Sequence, residues 1–261
     1  MLDASVLGCL GIGAGGENLT PTAPKIRQVI ALLLLNVGRT VPFSAFVDEL
    51  WSDRPPRSFQ TTVQTYILQL RRGLGRGEPP DRHLNPIATV PSGYVLHPDG
   101  IRLDVHRFQD LVARGNRALV SSDPREALRC FSDSLLVWKG KALTDVRTGP
   151  RLSAVAVRLE EERAGVFRHI VQLSFQLGRH PDMIAPLTVQ VAEHPFDEEL
   201  HKQLMTALDR SGRRRDALDV YARLRRVLAD ELGLGPSASV RRVHQDILFR
   251  DRAIPSPAGS S

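Results

Sequence analysis

The stretch of sequence that decides the fold is residues 57–74, RSFQTTVQTYILQLRRGL. Its main apolar residues are spaced four, three and four apart, at Val63, Ile67, Leu70 and Leu74. At 3.6 residues per turn, this spacing places them in one stripe along a helix. The stretch contains no acidic residue. We therefore predict an amphipathic helix that buries its apolar side and leaves the other side for a partner.

The polar face of this helix combines cations with side chains that can hydrogen-bond to base edges. It comprises Ser58, Thr61, Thr65, Leu68, Gln69 and Arg72, flanked by Gln64, Tyr66 and Arg71. This mixture is typical of a DNA recognition helix, although a solvated helix face has the same composition. The neighbouring sequence favours the first interpretation.

The residues after the helix predict a β-hairpin. Two short extended runs, 87–90 and 94–97, flank Pro91-Ser92-Gly93, in which the glycine permits a tight turn. A hairpin beside a recognition helix is a wing.

The residues before the helix complete a winged helix. We predict helices at 25–35 and 44–51, with Ser44 as the N-cap of the second. Pro55-Pro56 then prevents the second helix from continuing. The strand-like run 5–10 indicates a small N-terminal sheet ahead of these helices.

The positive charge of the chain is local rather than general. The formal net charge is +6, which invites a nucleic-acid interpretation. However, residues 1–100 contain nine Lys plus Arg against eight Asp plus Glu. Within residues 54–82 there are six arginines against Glu78 and Asp81. The cluster around the predicted recognition helix therefore matters more than the total.

Length and composition predict two soluble domains in the cytoplasm, where a DNA-binding protein would lie at the nucleoid. A chain of 261 residues can supply a core to each half. The longest apolar stretch, 29–35, is far shorter than the roughly 20 residues that cross a bilayer, and the N-terminus does not fit a signal peptide. Cys9 and Cys130 fall on otherwise apolar faces, which predicts buried free thiols.

The second half of the chain contains a repeated phrase. It reads SDPREAL from Ser122, GRHPDMI from Gly178 and GRRRDAL from Gly212, and the last two start 34 residues apart. This is the tetratricopeptide period, in which stacked helix pairs bury each other's apolar faces. Each phrase lies between two predicted helices, and Pro186 is expected to kink or delay one of them. The predicted helices are 108–119, 124–136, 151–177, 182–193, 198–210, 214–230 and 239–249.

Several motifs in a fixed order resemble a known family. They are Val6-Leu7-Gly8, residues 32–36 with Gly38-Arg39, Leu50-Trp51, Pro55-Pro56, residues 63–67, Leu70-Arg71-Arg72 and Gly93-Tyr94. Over residues 5–250 the chain is similar to the Streptomyces antibiotic regulatory proteins, or SARPs. The resemblance implies a mainly α chain with a small β component. An OmpR/PhoB-like winged helix-turn-helix at 1–100 would precede an all-α, tetratricopeptide-like bacterial transcriptional activation domain at 101–253. Residues 254–261 are expected to be a disordered tail.

We expect the helix to enter the major groove of DNA. Gln64, Thr65, Leu68 and Gln69 are the predicted base-facing residues, since an amide can pair with adenine and Leu68 can meet a thymine methyl group. The predicted backbone contacts are Arg57, Thr61, Tyr66, Arg71 and Arg72, together with Ser92 and Tyr94 of the wing.

No motif in the sequence supports an enzyme, and we expect neither a cofactor nor a metal. Residues 11–16 match the G-x-G-x-x-G pattern of dinucleotide binders, but no Asp or Glu occurs between Glu17 and Asp48 to bind a ribose. We therefore predict a turn between strands there. The eight histidines are scattered, and Glu160-Glu161-Glu162 is a charged helix face.

The resemblance also implies partners. They are promoter DNA with direct repeats, bound by a dimer or a side-by-side pair, and RNA polymerase holoenzyme through its sigma factor and alpha subunit, at a secondary-metabolite gene cluster. Two alternatives remain at this point. One is a helical-repeat adaptor whose winged helix contacts protein, and the other is ligand sensing in the helical domain.

Overall fold

The computed structural model describes residues 1–52, 54–75 and 86–249. Contacts divide the chain into two compact units, Met1–Phe167 and the residues from Arg168 onward. The domain boundary that the sequence predicts at residue 100 lies inside the first unit. The contact units do not test this boundary, which therefore stays a prediction. The predicted tail at 254–261 lies outside the described residues.

The first unit contains two small sheets. Its strands are β1 (Leu2–Ser5), β2 (Gly11–Ala14), β3 (Glu17–Asn18), β4 (Thr40–Pro42), β5 (Ile87–Val90), β6 (Gly93–Leu96) and β7 (Ile101–Leu103). One sheet has the order β3-β2-β1-β7, in which β1 runs antiparallel to β2 and parallel to β7. The other has the order β4-β6-β5 and contains the predicted wing hairpin, with Val90 opposite Gly93.

The helices of the first unit agree closely with the sequence prediction. They are α1 (Pro24–Leu34), α2 (Phe43–Trp51), α3 (Phe59–Leu74), α4 (Asp104–Val120), α5 (Pro124–Leu135) and the beginning of α6 (Pro150–Gln176). Helix α1 packs against both α2 and α3, and the side chains of Ile30, Leu33 and Phe46 are fully buried in their core. The predicted fold class, a winged helix followed by a helical region, is confirmed.

One local prediction near the N-terminus is wrong, and a second is only partly right. The strand lies at Leu2–Ser5 and not at 5–10, because the next backbone N–H groups bond to a carboxylate instead of a strand. Val6 and Leu7 donate to the Asp104 carboxylate at 2.9–3.0 Å. The glycine run predicted to be a turn forms β2 first, and only Gly15 and Gly16, at φ 58° and 87°, make the turn.

Two further predictions require correction. Ser44 is not an N-cap, because α2 begins one residue earlier, with Pro42 at the N-cap position and no side-chain cap. Cys9 is exposed, since it lies in the loop after β1 and not on an apolar face. Cys130, in contrast, is a buried free thiol, as predicted.

A buried carboxylate joins α2 to the start of α6. Glu49 is only 2% exposed, and it accepts hydrogen bonds from the backbone N–H groups of Gly149, Arg151 and Leu152, the last two at 3.0 Å. These are among the N–H groups that a helix start leaves without intrahelical partners. Gly149 packs so closely that a Cβ there would lie 2.1 Å from the Glu49 carbonyl oxygen. Glu49 therefore acts as a long-range N-cap for α6.

Two other carboxylates tie the N-terminal loop to later parts of the same unit. Asp104, at the start of α4, accepts the bonds from Val6 and Leu7 described above, and burial raises its pKa although these backbone bonds oppose the shift. Asp145 accepts from the Leu10 N–H at 2.8 Å and pairs with Arg27. The loop between β1 and β2 is thus held by two carboxylates that lie about 100 residues or more further along the chain.

The second unit is helical. After a 3₁₀ turn at Pro181–Met183 come α7 (Ile184–Glu193), α8 (Glu198–Arg210), α9 (Arg214–Leu232) and α10 (Ala238–Phe249). Helix α8 is central, because α7, α9 and α10 all pack against it. Pro186 lies in the first turn of α7, where its missing N–H breaks no intrahelical bond. The helix starts two residues later than predicted.

The repeated sequence phrase has a structural basis. Each copy begins at the turn between two helices, and its first residue has a left-handed backbone: Ser122 at φ 56°, Gly178 at 71° and Gly212 at 76°. Glycine adopts this region without the steric cost that a Cβ introduces. The prediction that each phrase separates a helix pair is confirmed. No helix in the described part of the chain is both long and apolar enough to cross a membrane.

Replacing Glu49 with Gln should lower the free energy of unfolding by about 1–3 kcal/mol, because an amide turns a donor toward backbone N–H groups that need an acceptor. Asp48→Asn is the matched control. Asp48 forms a half-exposed ion pair with Arg151 at 2.7 Å, so its loss should cost less than about 1 kcal/mol. Urea unfolding of both variants checks this. Equal losses would contradict the capping role of Glu49.

A second prediction concerns His244, which stacks on Tyr221 between α9 and α10 at 3.8 Å. Burial, and secondarily the nearby Arg225, lower the pKa of this imidazole. The unfolded chain then takes up the proton first, so this contribution to stability is present above the ordinary pKa near 6.5 and is lost as the pH falls below it. The urea midpoint should fall less between pH 7 and 5 for His244→Phe than for the native chain.

Candidate nucleic-acid interface

The buried stripe of α3 is the one that the sequence predicts. Val63, Ile67, Leu70 and Leu74 are between 0 and 7% exposed, and α1 and α2 pack against this side. The spacing of these residues fixes the rotation of the helix about its axis. The opposite side must therefore face away from the core.

The opposite side of α3 is an exposed polar surface with one apolar residue in it. Leu68 is 47% exposed, although nothing in the described fold requires an apolar side chain there. The Thr65 hydroxyl donates to the Thr61 carbonyl at 2.9 Å, which leaves its oxygen free to accept a bond. We call this surface the α3 face; its members are Gln60, Thr61, Gln64, Thr65, Leu68, Gln69 and Arg72.

Arg71 connects α3 to the wing. Its guanidinium donates to the Ile87 carbonyl at 3.0 and 3.1 Å and to the Thr89 hydroxyl at 2.8 Å. It also lies 5.9 Å from the centre of the Tyr94 ring. This half-buried side chain thus fixes the distance between the helix and β5. Its contacts give Arg71 a positioning role within the protein.

Tyr94 does not fit the predicted contact with DNA. The residue is 4% exposed, and its ring packs edge-on against Phe43 and Phe46 at 5.4 and 6.0 Å. Burial raises the pKa of its phenol, with the Arg71 guanidinium opposing the shift. Because β6 is the middle strand of its sheet, alternate side chains such as Tyr94 point into the core. We therefore remove Tyr94 from the candidate interface.

The wing turn itself is exposed and rigidly joined to β4. Ser92 is exposed, while its carbonyl accepts a bond from the Phe43 N–H at 3.1 Å. A Cβ at Gly93 would lie 2.0 Å from the Val41 carbonyl oxygen, so only glycine permits this approach of the strands. The side chain of Ser92 remains available at the tip.

The electrostatics around the α3 face favour an anionic partner. Helix α3 has no acidic residue in its first turn and no side-chain cap at Ser58. The Phe59 N–H bonds to the Pro56 carbonyl at 3.0 Å, but no side chain of the first turn offsets the positive dipole end. Arg57 and Arg72 are exposed, and Tyr66 is half-buried between them along the helix. Within the part of the chain that the structure describes, there is no cluster of three or more His, Cys, Asp or Glu that could hold a metal ion. The exposed arginines and the helix N-terminus make this surface suited to binding an anion.

Comparison with known proteins assigns both halves of the chain. Residues 16–96 match the model of the transcriptional regulatory protein C-terminal domain, and residues 103–248 match the bacterial transcriptional activator domain. The chain is 40% identical to the regulatory protein DnrI of Streptomyces peucetius, over 97% of this chain and 94% of DnrI. It is 33% identical to the transcriptional regulator RedD of Streptomyces coelicolor, over 98% of this chain and 73% of RedD.

The chain belongs to the SARP family of transcriptional activators.

A solved SARP-like structure supports the fold. It is Mycobacterium tuberculosis EmbR in complex with a low-affinity phosphopeptide, which superimposes with a TM-score of 0.80 at 32% identity and covers 95% of this chain. This chain spans 65% of that EmbR chain. The likeness supports the fold of this SARP, and the phosphopeptide is a property of EmbR.

Sequence reasoning missed two features of this SARP. Gln60 belongs to the α3 face, and its position four residues before Gln64 signals this, since residues four apart share one side of a helix. The connection from Arg71 to the wing leaves no comparable signal, because it joins residues 16 and 18 apart through a tertiary contact. The DNA contacts predicted for the other residues of α3 remain predictions.

Replacing Arg71 with Lys should loosen the wing, because an ammonium group cannot reproduce the fork of bonds to Ile87 and Thr89. We expect a loss of about 1–2 kcal/mol in the free energy of unfolding and faster hydrogen exchange in β5. Arg72→Lys, one residue further and exposed, should change stability by less than about 0.5 kcal/mol. The same protection of β5 in both variants would show that Arg71 does not hold the wing.

Proposed function

We propose that this SARP binds double-stranded DNA by placing α3 in the major groove and the Ser92 turn against the adjacent backbone. One observation carries the proposal. The α3 face presents three glutamines, two threonines, an exposed leucine and an arginine without any carboxylate. Amides suit adenine edges, and an apolar group suits a thymine methyl.

Individual roles follow from position along the helix. Gln64, Thr65, Leu68 and Gln69 lie in the middle of the exposed side, where a helix in the groove approaches base edges. Arg57 lies just before the helix, Thr61 lies in its first turn and Arg72 lies in its last turn, positions that suit phosphates. Tyr66 and Arg71 are half-buried. The sequence predicts a phosphate contact for Arg71, but its bonds to Ile87 and Thr89 lead us to propose that it positions the wing instead.

The wider role follows from membership of the SARP family. We propose that the protein activates a secondary-metabolite gene cluster, binds direct repeats in its promoters as a side-by-side pair, and recruits RNA polymerase through its sigma factor and alpha subunit. The relation to DnrI and RedD supports this proposal. An adaptor that binds only protein through the winged helix finds no specific support, since the α3 face is mainly polar with only one large apolar residue.

The test is the binding of the full chain to promoter fragments from its own genomic neighbourhood, measured by fluorescence anisotropy at two salt concentrations with non-specific competitor. Gln69→Ala should lower discrimination between the preferred site and a mismatched site by about 1–3 kcal/mol. Arg57→Ala should weaken binding to all sequences and reduce the salt slope by about 1.

Arg125→Ala is the matched control, because Arg125 is an equally exposed arginine on α5. It should leave both affinity and salt slope unchanged. If no fragment survives competitor, or if all three variants behave alike, α3 is not a recognition helix. A folded protein that then captures a protein partner through α3 would establish the adaptor function instead.

A further inference from the structure

The second unit contains a cavity that DNA binding does not use. Its volume is about 410 Å³, within the range of about 300–1,000 Å³ that is common for small-molecule sites. Helix α8 forms the floor through His201, Leu204 and Leu208, and α7 and α9 form the two walls. All lining residues belong to this unit.

The wall formed by α7 is apolar and largely uncovered. Ile184, Thr188 and Val191 line the cavity, and their spacing of four and three places them on the same side of the helix as Leu187. Leu187 is the only buried residue of α7. The apolar side of this helix is therefore only partly packed by the protein itself.

The floor contains a histidine with one ring nitrogen that has no partner in the protein. His201 is 3% exposed, and its Nδ1 lies 2.9 Å from the Asp197 carbonyl oxygen. A carbonyl oxygen can only accept, so Nδ1 carries the proton and Nε2 is left as an acceptor. Among the described residues, no group bonds to Nε2. His201 lines the cavity, so a molecule in the cavity can donate a hydrogen bond to this acceptor.

The wall formed by α9 is polar at its rim. Arg213 and Asp216 pair with each other at 2.7 Å, whereas Asp219 and Arg223 are exposed and form no ion pair with a described residue. A molecule in the cavity would meet an apolar surface on one side, charges of both signs on the other and one acceptor below. Such a site accepts a compact amphipathic molecule without a large net charge.

We propose that this cavity binds a small, largely apolar molecule that donates a hydroxyl hydrogen bond to Nε2 of His201. Its size favours a small molecule over a protein segment, because a stable protein interface buries about 800 Å² on each partner and the cavity has room for only a few side chains. The bound molecule would cover the open side of α7 and tie this helix to α8 and α9.

The experiment uses the full chain and two probes of nearly the same shape, 2-naphthol and naphthalene, titrated at equilibrium by fluorescence. Both should bind saturably, and 2-naphthol should bind roughly three- to tenfold more tightly because only it donates to His201. Replacing His201 with Phe should bring the two affinities to the same value. This ratio is insensitive to a general loss of stability, which would weaken both probes alike.

A cavity-filling variant locates the site. Thr188→Phe should lower the affinity for both probes at least tenfold, since the ring would occupy the space between α7 and α9. Val189→Phe is the matched control on the same helix, because Val189 is 56% exposed and does not line the cavity. Thermal unfolding verifies that both variants fold.

Three results would overturn the proposal. Equal affinities for the two probes in the native chain would exclude the bond to His201. Binding that Thr188→Phe leaves unchanged would place the probes elsewhere. No saturable binding of either probe would exclude a small-molecule site and leave a protein segment as the occupant of the cavity.

Discussion

The first unit depends on one buried carboxylate. Glu49 comes from α2 of the winged helix, yet its hydrogen bonds are to the backbone at the start of α6, about 100 residues later. A buried charge is tolerated only when its acceptor positions are occupied, so separating α2 from the start of α6 would leave the carboxylate and the helix N–H groups without each other. Asp104 and Asp145 accept hydrogen bonds from three more backbone N–H groups, those of Val6, Leu7 and Leu10 in the N-terminal loop. Consequently the winged helix is packed against the start of the activator region as one contact unit, although family models divide the chain between residues 96 and 103.

In the winged helix, too, a few contacts fix the geometry. The apolar stripe of α3 sets the rotation of the helix, and Arg71 sets its distance from the wing. Tyr94 lies beneath that arginine, packed between two phenylalanine rings. Helix, arginine and hairpin therefore form one rigid group, and the proposed base-facing side chains project from a surface whose geometry is already determined. The proposed binding to DNA would then require little ordering of the backbone in α3.

Local patterns predicted most of the fold because they are properties of neighbouring residues. The period of Val63, Ile67, Leu70 and Leu74 located α3 and its exposed side, and the repeated phrase located the turns at Ser122, Gly178 and Gly212. Errors arose where a distant group decides the outcome. The run after β1 resembles a strand, but Asp104 takes its N–H groups. From the sequence, Tyr94 is expected to be an exposed residue of the wing. In the structure it is buried, because β6 is the middle strand of its sheet. In the candidate site, position on a helix was predictable, whereas the burial of Tyr94 and the contacts of Arg71 depend on tertiary packing.

The α3 face has a consequence for how this family diversifies. Gln64, Leu68 and Gln69 make no side-chain hydrogen bond with any described residue, while the stripe beneath them and Arg71 are fixed by packing. Substitutions of the three exposed residues should change the stability of the fold very little, whereas substitutions in the buried stripe or at Arg71 should lower it. Under the proposed function, selection for a new operator and selection for a folded protein would act on separate residues. A duplicated gene could then acquire a different target by a few substitutions on α3, while the rest of the fold stayed under the same constraint.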